Sequence, residues 1–360
     1  MPCGACLVIL LTLAELLEMK ITQVSAVQPV DSEFLKQELQ ELGVFYYWPN
    51  EGNLGDYLIA EATRQLFRDC DLKWREYTPE NPPADESYVL VYGGGGRFVP
   101  HWGGMDLFQA HLTRPQVRRC VILPHSITGV DAFVKALDER HTVFCREKKT
   151  LAYCTALNHQ SRFILSHDLG LGLCVEKLPG CLSMARPVEG DSAETLEQYK
   201  VLGSGMQAHV RFRMRQARVR LRLTGLRVAF VLRTDSEKNC KAESEWAYDL
   251  SLVYSGTCRE TSCSIYLISM MADVLKPADV VVTDRLHVGI MSVLLGKEVY
   301  LLDNDYGKLS GVYENSLQNR PNVHLMSADC MWPCRLRLAW FLLNAPWRRW
   351  RRVLKSLLKR

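Results

Sequence analysis

One repeated unit governs this sequence: a short apolar run, then a turn with glycine or polar groups, then a segment with apolar residues at helical spacing. From Asp31 onward, Phe34 to Leu42 has helical periodicity and Val44-Phe45-Tyr46-Tyr47-Trp48 reads as a strand. Asn50 to Asp56 is a turn, and Tyr57 to Phe67 a helix. Ser87 to Tyr92 is a strand that runs into four glycines, Gly93 to Gly96. Cys120 to Pro124 is another strand, Ala132 to Arg140 a helix, and His141 to Cys145 a strand that leads to a helix over Lys148 to Ala156. Strands this short and this apolar, each giving way to a helix, build a parallel sheet covered on both faces. The fold class is α/β.

The unit fades near Leu178 and returns at Leu226 to Leu232, a strongly apolar strand. A helix over Ile265 to Leu275 follows, then the strand Val280-Val281-Val282, a helix over His287 to Leu295 and the strand Glu298 to Leu302. A chain of 360 residues has room for about two domains. The expected division is an apolar N-terminal segment at 1–30, a first domain at 31–185, a basic connector at 186–225, a second domain at 226–330 and a basic aromatic helix at 331–360. The connector holds Val210-Arg211-Phe212-Arg213-Met214-Arg215, which alternates like a strand and equally suits a solvated helix.

Charge is concentrated. Residues 209–227 carry seven Arg, residues 335–360 carry nine Arg or Lys, and neither stretch has an acid. The other 28 basic residues face 40 acidic ones, so the net +4 hides an acidic body with two basic segments. No nucleic-acid fold signature accompanies those segments, and no nucleic-acid partner is expected. The tail mixes Trp340, Trp347 and Trp350 with its cations, which suits a helix on an anionic membrane surface or one docked on the first domain. Thirteen scattered Cys show no zinc spacing and read as mostly buried free thiols. In the first 30 residues, Cys6 to Ala14 is apolar and Val24-Ser25-Ala26 resembles a cleavage site, but no Lys or Arg precedes the apolar stretch. The segment reads either as a signal or anchor or as an amphipathic helix. The compartment is cytoplasmic or peripheral to a membrane on one reading and a secretory lumen on the other.

The stretch richest in chemistry is Val280-Val281-Val282-Thr283-Asp284-Arg285-Leu286-His287. A buried strand delivers Thr283 and Asp284 to its C-terminal end, where α/β folds hold their ligands. Arg285 and His287 then sit at the start of a helix, whose N–H groups favour anions. Arg285 offers a two-pronged donor to phosphate or carboxylate, and His287 is a residue type that can donate or accept a proton there. After the next strand, Lys308 in Tyr306-Gly307-Lys308 is placed to reach the same crevice. In the first half, Asn53-Leu54-Gly55-Asp56 is a glycine turn that permits close approach to a ligand. Gly94 and Gly95 belong to a run that lacks both GxGxxG and GxxxxGK[ST] spacing, which excludes dinucleotide and P-loop readings. Arg146 follows the strand His141 to Cys145, again at a C-terminal end.

Taken in order, Asn53-Leu54-Gly55-Asp56, the glycine run, Leu123-Pro124-His125-Ser126-Ile127, Phe144-Cys145-Arg146-Glu147, His167-Asp168-Leu169, Thr283-Asp284-Arg285-Leu286-His287 and Tyr306-Gly307-Lys308 resemble the polysaccharide pyruvyl transferases over roughly residues 50 to 315. The resemblance implies two Rossmann-like domains facing across a GT-B-like cleft. It implies a pyruvyl group moved from phosphoenolpyruvate to a glycan acceptor, as in exopolysaccharide modification, with no cofactor and no metal beyond the donor substrate. Arg146, Arg285, Leu286 and Lys308 would contact the donor, with His287 as the catalytic group. The family commonly has Gln-Ser-Ile/Leu-Gly where this chain has His125-Ser126-Ile127-Thr128-Gly129. The rival reading is a GT-B-type glycosyltransferase that uses a nucleotide sugar.

Overall fold

The computed structural model describes residues 32–50, 52–83, 87–178, 193–220, 227–234, 246–253, 261–303 and 307–326. The N-terminal segment at 1–30 and the basic tail at 331–360 lie outside them.

The first half builds a seven-stranded sheet, all of whose pairings are parallel. Helix α1 (Ser32–Gln40) leads into β1 (Val44–Trp48), α2 (Leu54–Asp69), β2 (Lys73–Glu76), β3 (Tyr88–Tyr92) and β4 (Gly95–Phe98). Then come α3 (Met105–Leu112), β5 (Val117–Ile127), α4 (Asp131–Ala136), β6 (His141–Cys145), α5 (Lys148–Leu157) and β7 (Arg162–Leu165). Spatial order is β2-β1-β3-β5-β6-β7, with β4 lying along the C-terminal part of β5. The chain steps outward from β1 to β2 and then reverses through β3. The turns after β1 and β3 thus open side by side at a topological switch point, where such sheets bind ligands.

The second half builds a four-stranded parallel sheet in the order β11-β10-β9-β8. Its elements are α6 (Ala193–Arg220), β8 (Val228–Val231), α7 (Thr261–Leu275), β9 (Val280–Thr283), α8 (Leu286–Leu294), β10 (Glu298–Leu302), α9 (Lys308–Val312), a π-helical turn (Tyr313–Leu317) and β11 (Val323–Met326). The strands β1, β6 and β10 have the borders expected from sequence, because a strand buried on both faces is an unbroken apolar run.

Of the two readings open for 210–215 the helix is realised, though not as a wholly solvated one: the stretch belongs to the 28-residue helix α6. Met206, Val210, Met214 and Ala217 recur at intervals of four, four and three residues and sink into the second core, while Phe212 faces outward. Gly203 lets α6 press on α7, since an added Cβ would stand 2.9 Å from Met270 Sδ and from the Tyr266 ring.

The halves meet along α2. Leu54, Tyr57, Leu58 and Ala62 join the core that holds α7 and α8, while Phe67 at the other end of α2 packs with Phe45 and Tyr47 of β1. Glu38 of α1, nearly wholly buried, ties the sheet together: it accepts from Arg119 (2.5 Å) on β5 and from Arg162 (3.1 Å) on β7. Among the described cysteines, Cys120, Cys145 and Cys154 are buried free thiols, as expected. No helix among the described residues is long and apolar enough to cross a membrane.

Candidate active site

The N-terminus of α2 is built by a reciprocal cap. The Asn53 side chain accepts from the Gly55 N–H (2.8 Å), and Asp56 Oδ2 accepts from the Asn53 N–H (2.8 Å). Two orphan donors of the first turn are thereby satisfied. Asp56 Oδ1 accepts from Asn50 Nδ2 (2.8 Å), and Asn50 in turn accepts from the Tyr92 hydroxyl (2.8 Å) at the end of β3. Asn53 and Asp56 therefore hold the turn in shape, and their side-chain oxygens face protein donors.

The glycines of this region make room for the protein's own atoms. A Cβ on Gly94 would stand 2.8 Å from the Pro124 carbonyl, and one on Gly95 2.4 Å from Asn50 Nδ2. Gly95 also has a φ of +154, which a side chain would resist. The third case reaches across the halves: a Cβ on Gly55 would stand 2.1 Å from His287 Nδ1 and 2.7 Å from its Cγ. Gly55 is thus the floor on which the imidazole lies.

His287 sits in the first turn of α8, delivered there by β9. Arg285 is the N-cap, and its backbone N–H is held by the Thr283 hydroxyl (2.9 Å). The His287 Nε2 atom lies 3.5 Å from Asp168 Oδ2, an ion-pair distance too long for a good hydrogen bond. The same oxygen accepts from Arg146 Nη1 at 2.9 Å. Arg146, at the end of β6, and Asp168, just after β7, have fully buried side chains. Arg146 Nε donates to the Ser126 hydroxyl (2.7 Å), which donates to Glu147 Oε1. Asp168 Oδ1 accepts from the Gly170 N–H (2.8 Å).

Burial pushes the Asp168 carboxyl up, but His287, Arg146 and the Gly170 N–H outweigh it and hold the group well below the usual carboxylate range. Two buried nitrogens beside it, Arg146 Nη2 and His287 Nε2, have no hydrogen-bond partner among the described residues. Unpartnered buried donors are costly, and a cluster of them around one carboxylate is a place made for an acceptor.

Arg285 and His287, two positions apart, engage different carboxylates. Arg285 Nε and Nη2 donate to the two oxygens of Asp249 at 3.0 and 2.6 Å, a bidentate pair that is nearly wholly buried. Asp249 also accepts from the Thr234 N–H (2.7 Å). Asp284 Oδ1 accepts from the Arg233 N–H (2.7 Å), its Oδ2 has no hydrogen-bond partner among the described residues, and burial raises its pKa to about 6 against the pull of that N–H and of Arg285 and Arg233. Leu286 is buried in the second core.

Lys308 begins α9, and its side chain lies outside what the structure describes. Its backbone neighbourhood is clear. A Cβ on Gly307 would stand 3.0 Å from Lys149 Nζ, and one on Gly311 2.6 Å from Glu147 Oε2. Asn315 Nδ2 donates to the Arg146 and Ser166 carbonyls (3.2 and 2.8 Å), and His167 Nδ1 bonds the Ser316 hydroxyl (2.6 Å). The segment that follows β10 is therefore laid against the strand ends that carry Arg146 and Asp168.

Of the residues expected from sequence, the structure gathers Arg146, His287 and Gly55 and sets the Lys308 backbone beside the Arg146 turn. It gives Asn53 and Asp56 a capping role and engages Arg285 with Asp249. Asp168, Ser126, Glu147 and Asp249 received no role from sequence. Three of them stand inside the quoted motifs, and Asp249 stands in none.

Comparison with known proteins agrees with this geometry. A family model described as polysaccharide pyruvyl transferase matches residues 53–306. A protein of Bacillus subtilis (strain 168) named "Putative pyruvyl transferase EpsO" is 23% identical over 303 residues, covering 79% of this chain and 88% of that protein. A crystal structure of the functionally uncharacterised protein KP1_0663 from Klebsiella pneumoniae subsp. pneumoniae NTUH-K2044 superposes with a TM-score of 0.61 at 26% identity, covering 82% of this chain and 96% of that one. The chain belongs to the polysaccharide pyruvyl transferase family and is a transferase.

Proposed function

We propose that the protein moves the pyruvyl group of phosphoenolpyruvate onto two hydroxyls of one sugar in a glycan, forming a cyclic pyruvate ketal and releasing inorganic phosphate. The observation that carries the reading is the convergence of Arg146 from the first sheet and His287 from the second on a single oxygen of Asp168, where Arg146 Nη2 is left without a hydrogen-bond partner among the described residues and His287 Nε2 is held only at 3.5 Å. Such donors match an anion with a carboxylate and a phosphate. The two sheets, divided between residues 178 and 193, act in this reading as Rossmann-like units facing across a GT-B-like cleft, with the donor at their meeting line.

The chemistry divides into two additions. One sugar hydroxyl adds through oxygen to C2 of phosphoenolpyruvate while C3 takes a proton and becomes a methyl group. The second hydroxyl then replaces phosphate at C2, its proton leaving to a base. His287 supplies the proton to C3. Arg146, with Lys308 at the facing segment, holds the carboxylate and offsets charge on the departing phosphate. Arg285 braces the start of α8 through Asp249 and so fixes His287 in place. The scheme uses phosphoenolpyruvate as donor substrate and calls on no further cofactor.

The test is to incubate the purified protein with phosphoenolpyruvate and a panel of galactoside, glucoside and N-acetylmannosaminide acceptors. Phosphate release that depends on the acceptor, with a pyruvyl mass gain on one sugar, is expected. Turnover of a nucleotide sugar in place of phosphoenolpyruvate would overturn the reading.

A further inference from the structure

Helix α6 has an apolar stripe that the fold buries and a second one that it leaves bare. Met206, Val210, Met214 and Ala217 face the core. On the opposite side of the helix stand Val201, Gly205, Ala208 and Phe212, at intervals of four, three and four residues. Val201 is 66% exposed, Phe212 is 54% exposed, and nothing lies within 4 Å of a Cβ placed on Gly205. An ordinary surface helix turns charge, not phenylalanine, away from its core.

From Val201 onward the charge beside this stripe has one sign; Glu197, one turn earlier, is paired with Lys200 (3.1 Å). From Gln198 to Thr234 the sequence contains no Asp or Glu, while α6 itself carries Arg211, Arg213, Arg215, Arg218 and Arg220. Arg211 and Arg215 are exposed on the flank of the bare stripe, and neither has a carboxylate within 4 Å among the described residues. Arg213 is turned onto its own helix, donating to His209 (3.2 Å) and Gln216 (3.5 Å). At 28 residues, α6 is about 42 Å long, a flat rod rather than a point of contact.

We propose that the outward face of α6 docks the protein on an anionic lipid surface. Phe212 and Val201 enter the boundary between headgroups and acyl chains, and Arg211 and Arg215 lie along the interface and pair with lipid phosphates. Gly205 and Ala208 keep the stripe low, so that the helix lies flat. Charge selects this occupant. A second copy of the helix would bring Arg211 and Arg215 against their own kind, which is unfavourable, whereas an anionic leaflet attracts each cation near its surface.

The proposal is tested on the full chain by co-sedimentation with vesicles of phosphatidylcholine alone or with phosphatidylglycerol added. The expected result is binding to the anionic vesicles, weak binding to the neutral ones, and loss on raising salt. Phe212→Glu and the double substitution Arg211→Glu with Arg215→Glu should each lower the lipid partition coefficient at least tenfold while the melting temperature stays unchanged. Phosphatidylglycerol binding that survives both variants would place the contact in the basic tail and overturn the assignment. Two further outcomes would also overturn it: the variants abolish a dimer without altering vesicle binding, or the wild-type chain prefers a nucleic acid to the vesicles.

Discussion

The contact between Gly55 and His287 joins the two halves at the candidate site, and its energetics have a sign that structure alone decides. Gly55 lies in the first turn of α2 with no left-handed backbone requirement, so local helix preference predicts that Gly55→Ala stabilises the protein by about 0.5–1 kcal/mol. The added methyl, however, would stand 2.1 Å from His287 Nδ1. It would also stand 2.7 Å from Cγ and 3.0 Å from Cβ of the same residue, so the ring must move or the helices must part. Overpacking of this kind costs about 1–3 kcal/mol. The expected net effect in the wild-type background is a loss of about 1–2 kcal/mol. In a His287→Ala background the ring is gone and only the Cβ at position 287, 3.0 Å away, still presses, so Gly55→Ala should be close to neutral there. The two substitutions are thus coupled by about 1–2 kcal/mol, well above the 0.3–0.5 kcal/mol scatter of independent sites. Urea unfolding of the four proteins at neutral pH measures the cycle. Additive effects would refute the reasoning, because they would mean that the imidazole does not rest on Gly55.

Four other outcomes follow from the same geometry. Asp168→Asn removes the nearer of the two carboxylates around the buried Arg146 guanidinium, leaving Glu147 at 3.8 Å, and should cost about 3 kcal/mol in urea unfolding. Because the native carboxyl of Asp168 is held below its ordinary range, its contribution is complete above about pH 4 and fades as the solution is acidified further. The gap between wild type and Asp168→Asn should therefore narrow in acid. Asp284 behaves in the opposite sense: with its pKa raised to about 6 in the fold and about 3.9 in the unfolded chain, stability declines as pH rises between those values. Asp284→Asn, which keeps an oxygen for the Arg233 N–H, should flatten that slope and gain roughly 2 kcal/mol at pH 7. His287→Ala should lower pyruvyl transfer about 10²-fold or more, and near-normal turnover would remove its role as acid. Arg285→Lys keeps the charge but gives up one of two bonds to Asp249, so it should lower kcat for pyruvyl transfer with little change in KM for phosphoenolpyruvate, and an unchanged kcat would count against the bracing role.

What the sequence made legible follows burial. Strands β1, β6 and β10 declare themselves because both faces are largely covered and most of their positions form an apolar run. Strand β2 is Lys73-Trp74-Arg75-Glu76, an edge strand that pairs on one side only, so nothing in its composition separates it from a loop. The other unforeseen edges, β7 and β11, are only partly buried for the same reason. The connector shows how two periods can coincide: Val210 and Met214 satisfy a helix, and Phe212 between them adds a strand-like alternation, so the sequence left both readings open. At the site, Arg146 and His287 were legible because each stands at a strand end beside a recognisable motif. Asp249 was not, since its value depends on meeting Arg285, 36 residues further on, and a single carboxylate has no local pattern to announce it.

The Glu38 staple has a practical consequence for anyone cutting the chain. The stretch by which the family is recognised begins at residue 53, yet α1 and β1 lie before it. A fragment trimmed to that border would lose Phe45 and Tyr47 from the hydrophobic interior and the strand to which both β2 and β3 are zipped. It would also strip Arg119 and Arg162 of their shared acid. The smallest piece able to fold is longer than the piece that betrays the ancestry, and expression of the catalytic unit should start no later than Ser32.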